Sequence, residues 1–138
     1  MKYMSKVVQF NFEKNNDKEI EINGELYTIP MDDESKEKYI IATKKFGLAS
    51  QEVATTHENL MDMSDEDIKA LTTKQVEMMK ELIEAILGKG KFKIMYNLAG
   101  KSAIKLMPLA QELLRLVADV DEATYQENLN KYMQNGKL

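Results

Sequence analysis

Two stretches near the start of the chain alternate apolar and polar residues, as strands with one buried face do. In residues 7–13, Val8, Phe10 and Phe12 fall on the same face. Residues 18–30 alternate on either side of a central Asn-Gly pair. The pattern predicts one strand followed by a hairpin, which together form a small three-stranded antiparallel layer.

The Asn23-Gly24 pair sets the register of the predicted hairpin. Both residues tolerate positive φ, which favours a two-residue type I′ turn. The cross-strand pairs that follow are Ile22 with Glu25, Ile20 with Tyr27, and Lys18 with Ile29. Four apolar side chains then share one face: Ile20, Ile22, Tyr27 and Ile29. Leu26 points outward among glutamates instead, and this misfit makes it a candidate contact for a neighbouring chain.

Beyond Pro30 the apolar residues recur at helical spacing. We expect a helix that is capped by Asp32 or Asp33, runs to about Phe46 and ends at Gly47. Its apolar face would consist of Tyr39, Ala42, Thr43 and Phe46. Residues 48–63 have mixed propensity, and we expect a short helix followed by a loop.

A stronger helix signal begins at Ser64, whose hydroxyl can cap a helix that opens with three acidic residues. The pattern extends to Leu87 and Gly88, with a possible break at residues 72–73. The inward face would hold Val76, Met79, Leu82, Ile83 and Ile86. A short helix that ends at Gly100 follows, with one face made of Phe92, Met95, Tyr96 and Ala99.

Residues 102–120 are apolar around most of the helix circumference. The exceptions fall on one narrow stripe: Lys105, Pro108, Glu112, Arg115 and Asp119. A surface helix normally buries a narrower stripe, so this segment is expected to be either the central helix of the bundle or part of a subunit interface. Pro108 lies on the polar stripe, where a bend in the helix costs least.

The last periodic segment spans residues 122–134, with Tyr125, Leu129, Tyr132 and Met133 at helical spacing and Asp121 as a cap. The sequence thus predicts an α+β fold in a single domain, residues 1–138. A β layer in residues 1–31 would pack on a helical part in residues 32–138, a bundle of about four to five helices.

Composition limits the possible functions. The chain has 19 basic and 23 acidic residues, a net charge of −4, which disfavours non-specific nucleic-acid binding. It has no cysteine, so disulfides and thiolate chemistry are excluded, and a reducing cytoplasm suits it. No apolar run is long enough for a signal peptide or a membrane span. A soluble protein is expected.

Candidate chemistry is sparse. His57 is the single histidine, in a polar segment, and is more simply a surface residue than a metal ligand or base. Paired carboxylates stand at helix starts and on polar stripes, and GKGK at 88–91 follows a helix, whereas a phosphate-binding loop precedes one. We therefore expect no enzyme activity, no metal and no cofactor.

Two features point to binding instead. Ten methionines are enriched among apolar residues, where they either fill gaps in the core or form an adaptable binding surface. Residues 88–111 contain five lysines and no acid, either a basic patch for an acidic partner or a solvated surface. The candidate partner-binding residues are Lys89, Lys91, Phe92, Lys93, Tyr96, Lys101 and Leu26.

The order of these features resembles a family. A short β front with an Asn-Gly hairpin precedes an acidic-capped helix and then the segment ELIEAILGKGKFKIMYNLAGKSAIKLMPLAQELLRLV, residues 81–117. This layout is similar to that of the tail assembly chaperones of long-tailed bacteriophages. The resemblance covers most of the chain and rests on the order of these features, since there is no invariant motif against which to check it.

The resemblance implies a non-enzymatic assembly factor in the cytoplasm of the bacterial host that is absent from the finished virion. Such proteins solubilise the helical tape measure protein and recruit tail tube subunits to it, and a homo-oligomer is expected. Neither nucleic acid nor a membrane is an expected partner. The alternative is a small acidic phage- or plasmid-encoded inhibitor that binds one host protein.

Overall fold

The computed structural model describes residues 6–12, 16–57 and 60–118. Two strands, β1 (Lys18–Ile22) and β2 (Glu25–Ile29), precede four α-helices. These are α1 (Asp33–His57), α2 (Asp65–Leu87), α3 (Lys91–Leu98) and α4 (Met107–Ala118). Short 3-10 turns at Leu60–Asp62 and Ile104–Leu106 lead into α2 and α4. The α+β class, with a hairpin in front of a helical bundle, is therefore confirmed.

The hairpin forms in the predicted register. Ile22 pairs with Glu25, Ile20 with Tyr27 and Lys18 with Ile29. Asn23 and Gly24 have φ of 49° and 84°, as a type I′ turn requires. Tyr27 and Ile29 are buried, while Ile20 and Ile22 pack at the margin of the core.

The predicted third strand does not form over residues 7–12, and the sheet has two strands in the part of the chain that the structure describes. Phe10 and Phe12 are 75% and 87% exposed. Alternation reports which face a strand would bury, but it does not determine whether the backbone groups pair with a neighbouring strand. Within the single chain, this segment stays unpaired, so that part of the prediction was wrong.

The first helix is longer than predicted because Gly47 does not end it. Asp32 caps the helix as expected, its carboxylate accepting the Ser35 N–H at 3.4 Å. Gly47 lacks the positive φ of a terminating glycine, and α1 continues to His57. Val53, seven residues after Phe46, extends the same buried face and stabilises the extra turns. Thr43, predicted on that face, is exposed.

The second helix follows the prediction closely. Ser64 is its N-cap and accepts the Asp67 N–H at 3.1 Å, and Gly88 ends it with φ of 111°. No break occurs at residues 72–73. The inward face is as predicted, except that Val76 is only half-buried and Leu71, Met78 and Leu87 are also buried.

The fourth helix begins later than the sequence suggests. A 3-10 turn occupies residues 104–106 and α4 starts at Met107, so Pro108 lies in the first turn, where its missing N–H is not needed. The proline therefore begins a helix and does not bend one. Only Ala110 and Leu113 of α4 are fully buried. The predicted helix at residues 122–134 lies outside the described residues.

The centre of the bundle is α2 and not the 102–120 segment. α2 packs against α1, α3, α4 and β2. Met79, Leu82 and Ile83 are at most 1% exposed. Tyr39 joins the hairpin to this core, because its buried phenol donates to the Pro30 carbonyl at 2.7 Å. Burial raises the pKa of Tyr39, which keeps the phenol a donor.

Glycine substitutions test the course of α1. We expect Gly47→Ala to stabilise the protein by about 0.5–1 kcal/mol, since the position is helical and nothing lies within 4 Å of the added methyl group. Gly88→Ala is the control and should destabilise by about 1–3 kcal/mol, because φ there suits glycine alone. Urea unfolding measures both. Loss of stability in Gly47→Ala would contradict a continuous α1.

Candidate functional site: a methionine-lined pocket beside a lysine-rich segment

An apolar pocket of about 170 Å³ opens where α1, α2 and the turn before α4 meet. The packing of the helices brings these elements together, so the residues that line the pocket do not form a contiguous motif in the sequence. Its lining residues are Ser50, Val53, Ala54, Gln75, Met78, Met79, Ala103, Ile104 and Met107. An apolar cavity of about 150 Å³ accepts a benzene molecule, so this pocket has room for one aromatic or branched aliphatic side chain.

Three methionines give the pocket adaptable walls. Met78 and Met79 on α2 are buried, and Met107 at the start of α4 is half-buried. Unbranched thioether side chains can adjust to differently shaped apolar groups. Part of the methionine enrichment in the sequence thus serves the core and part lines an open pocket.

The pocket wall also carries a buried polar group that has no hydrogen-bond partner among the described residues. Within the described residues, the Ser50 hydroxyl is buried and has no hydrogen-bond partner. A buried polar group of this kind costs stability unless a partner satisfies it. An incoming side chain or a water molecule could supply that hydrogen bond.

Ile104 forms the outer rim of the pocket and is 79% exposed. The backbone that carries it is held on both sides: the Lys101 N–H donates to the Tyr96 carbonyl at 2.7 Å, and the Lys105 N–H donates to the Ser102 hydroxyl at 3.4 Å. Lys101 and Lys105 are exposed and flank Ile104 in the chain. The rim is therefore apolar with positive charge beside it.

The predicted lysine patch divides into different environments. Lys89, Lys93 and Lys101 are exposed, as a charged surface requires. Lys91 is half-buried, and its ammonium lies over the Tyr27 ring, 5.7 Å from the centroid. That distance permits a cation–π interaction, so Lys91 joins α3 to the hairpin.

The apolar candidates also separate. Phe92 is buried and Tyr96 half-buried, with their rings stacked at 5.0 Å between centroids. Phe92 therefore supports the core and has little surface to offer. Leu26 is 61% exposed on the outer face of β2, as predicted. Its role in partner binding stays a prediction.

The acid-free run in the sequence has acidic neighbours in space. A Glu84 carboxylate oxygen accepts the Gly90 N–H at 3.2 Å, which places an acid beside the lysine-rich turn. Glu25 accepts the Tyr27 hydroxyl at 3.0 Å, close to Lys91. Burial, with that hydrogen bond and charge, raises the pKa of Tyr27. Positive charge therefore weakens at the hairpin, and the Lys101–Lys105 end is the part beside the pocket.

A second groove lies between α1 and α4. It is about 310 Å³ in volume and mostly apolar, and it is lined by Tyr39, Ile40, Thr43, Lys44, Leu114, Val117 and Ala118. Glu112 and Arg115 form an ion pair elsewhere on α4. The hydrogen bond from Arg115 lowers the pKa of Glu112.

No group of three or more histidine, aspartate or glutamate side chains in the described ranges could hold a metal ion. Over the same ranges, no helix is both long and apolar enough to cross a membrane. The sequence predicts that His57 is exposed, but its side chain is not among the parts that the structure describes.

Comparison with known proteins finds no matching family model, no matching curated protein and no matching solved structure.

Paired serine substitutions test the unused hydroxyl. We expect Ser50→Ala to raise stability by about 1 kcal/mol, because it removes a buried polar group without a partner. Ser64→Ala, where the hydroxyl caps α2, should lower stability by about 1 kcal/mol. Thermal unfolding distinguishes the two signs. A destabilised Ser50→Ala variant would mean that the hydroxyl is satisfied inside the protein.

Proposed function

We propose that this protein is a non-enzymatic assembly chaperone of a long-tailed bacteriophage, which binds and solubilises the tape measure protein and helps to recruit tail tube subunits. It would act in the host cytoplasm and be absent from the finished particle. The observation that carries the proposal is the methionine-lined pocket with an exposed isoleucine at its rim. The resemblance in sequence layout supports the choice of client.

The pocket suits a helical client. An amphipathic helix binds a groove through a few apolar anchors at helical spacing. A pocket of about 170 Å³ accepts one such anchor, and Ile104 and Met107 can pack beside it. Adaptable methionines allow successive client segments with different anchors to use the same pocket. A long helical protein presents many such segments.

The charge beside the pocket also limits which segments of the client would bind. Lys101 and Lys105 flank the exposed rim, so acidic residues next to the anchor would be favoured. The chain as a whole has a net charge of −4, so this attraction is local to the lysines. The preferred site on the client is therefore an apolar helical position with acidic neighbours.

Exposed apolar side chains on α1 extend the binding surface. Ile40 and Ile41 are 70% and 50% exposed, and Leu48 is 59% exposed. Lysines at positions 38, 44 and 45 lie among them. Apolar surface of this kind, rimmed by charge, is typical of a protein-binding region.

The gene neighbourhood gives the first test. We expect a tail tube gene upstream and a very long tape measure gene downstream, with an overlapping −1 frame. A gene surrounded by unrelated functions would overturn the proposed client and favour the inhibitor of a host protein.

Blocking the pocket tests the contact itself. Ala54 is exposed at the pocket mouth, so Ala54→Trp should fill it without disturbing the core. We expect the amount of co-expressed tape measure protein that is soluble and co-purifies to fall at least tenfold. A tenfold loss corresponds to about 1.4 kcal/mol of binding free energy. Affinity purification with quantified client measures the loss.

The neighbouring variant Thr55→Trp is the matched control, since it adds the same ring to an exposed position on α1 that does not line the pocket. It should retain client binding. Equal loss in both variants, or in neither, would contradict a role for the pocket.

Charge reversal tests the lysine-rich rim separately. We expect Lys101→Glu/Lys105→Glu to weaken client binding several-fold and to remove most of its salt dependence, because surface charge acts through screened attraction. Lys69→Glu/Lys80→Glu, on exposed positions of α2, adds the same charge elsewhere. Binding titrations at low and high salt compare the two. Similar effects in both variants would show that only net charge matters.

A further inference from the structure

Residues 7–12, here called the arm, form an unpaired segment with the pattern of a strand. Val8, Phe10 and Phe12 share one side of it, and the two phenylalanine rings contact each other edge to face at 4.8 Å between centroids. All three side chains are at least 75% exposed. Six residues with this alternation match the length of an ordinary strand.

The hairpin offers an edge for such a strand. Next to a two-residue turn, the Ile22–Glu25 and Ile20–Tyr27 pairs exchange hydrogen bonds across the ladder. The backbone N–H and C=O groups of Glu19 therefore point away from β2, as do those of the next alternate residue, Glu21. Among residues 6–12, 16–57 and 60–118, the sheet has two strands, and no strand of these ranges covers this edge of β1.

The apolar face at this edge is also incompletely covered. Tyr27 and Ile29 on β2 are buried, and β2 packs against α2. Ile20 and Ile22 on β1 are only half-buried. A two-stranded hairpin is marginal alone, and a third strand would add both hydrogen bonds and apolar cover.

The arm fits this edge in an antiparallel register. Phe10 opposite Ile20 and Val8 opposite Ile22 would extend the apolar face of the hairpin, which gives aromatic and β-branched pairs of the kind that stabilise sheets. Gln9 and Asn11 would then lie on the outer face beside the glutamates. Polar amides next to carboxylates add no like-charge repulsion.

We propose that the arm of one copy pairs with β1 of a second copy, and that the exchange is mutual across a twofold axis. Among the described residues the arm pairs with no strand, so we assign the open edge of β1 to the arm of a second copy. A mutual exchange covers both open edges at once and leaves neither arm exposed. This inference concerns self-association and does not depend on the proposed client.

Mass measurement tests the exchange first. We expect the purified full-length chain to show twice its 15.9 kDa mass by light scattering coupled to size exclusion. Phe10→Glu/Phe12→Glu should halve the observed mass, since charge would enter the apolar face. Both residues are exposed, so the fold should persist, as circular dichroism would verify. The control Gln9→Lys/Asn11→Lys also adds two charges, but on the other face and opposite Glu21 and Glu19, and should retain the dimer.

Cross-linking decides which chain supplies the strand. The protein has no cysteine, so Gln9→Cys and Glu21→Cys can be introduced singly into differently tagged chains. After mixing and unfolding–refolding, a short bismaleimide should join the two tags. The double variant Gln9→Cys/Glu21→Cys carries both cysteines in one chain. If it cross-links only within that chain at high dilution, the proposal is overturned. A monomeric mass for the unmodified protein would also overturn it.

Discussion

Burial of one face of α2 is the constraint on which the rest of the structure depends. Met79, Leu82 and Ile83 are almost fully excluded from solvent, and α1, α3, α4 and β2 all pack against this helix. The hairpin is too small to be stable alone and relies on that face for its burial. Where α1 and the turn before α4 meet α2, the methionine-lined pocket lies between the three elements.

Local signals predicted much of the fold. The Asn23-Gly24 turn fixes the hairpin register, because its backbone requirement depends on two adjacent residues and no tertiary contact. Ser64 and Gly88 likewise bound α2 through caps that act within a few residues. Gly47 misled because glycine both ends helices and occurs inside them, and packing of Val53 decides between these roles. Alternation in residues 7–12 misled because it reports the face that a strand would bury and not whether the segment pairs with another strand of the same chain.

The candidate site could be predicted only in part. Exposed lysines and an outward Leu26 follow from spacing and charge. Burial of Phe92 and the approach of Glu84 to the Gly90 amide depend on how α3 turns back on α2. The pocket joins residues 50–54, 75–79 and 103–107, which are far apart in the chain, so only the surplus of methionine indicated it. A surface formed by several elements that are distant in the chain is difficult to recognise from one sequence.

We propose that the pocket and its rim contact a helical client directly. Placing a photo-cross-linking amino acid at Ile104, on the rim, tests this most simply, with the exposed Lys69 position on α2 as reference. Irradiation of the complex with tape measure protein should give cross-links from position 104, mapped by mass spectrometry to apolar helical positions of the client with acidic neighbours. Cross-links of equal yield from position 69, or none from position 104, would contradict direct contact between the pocket rim and the client.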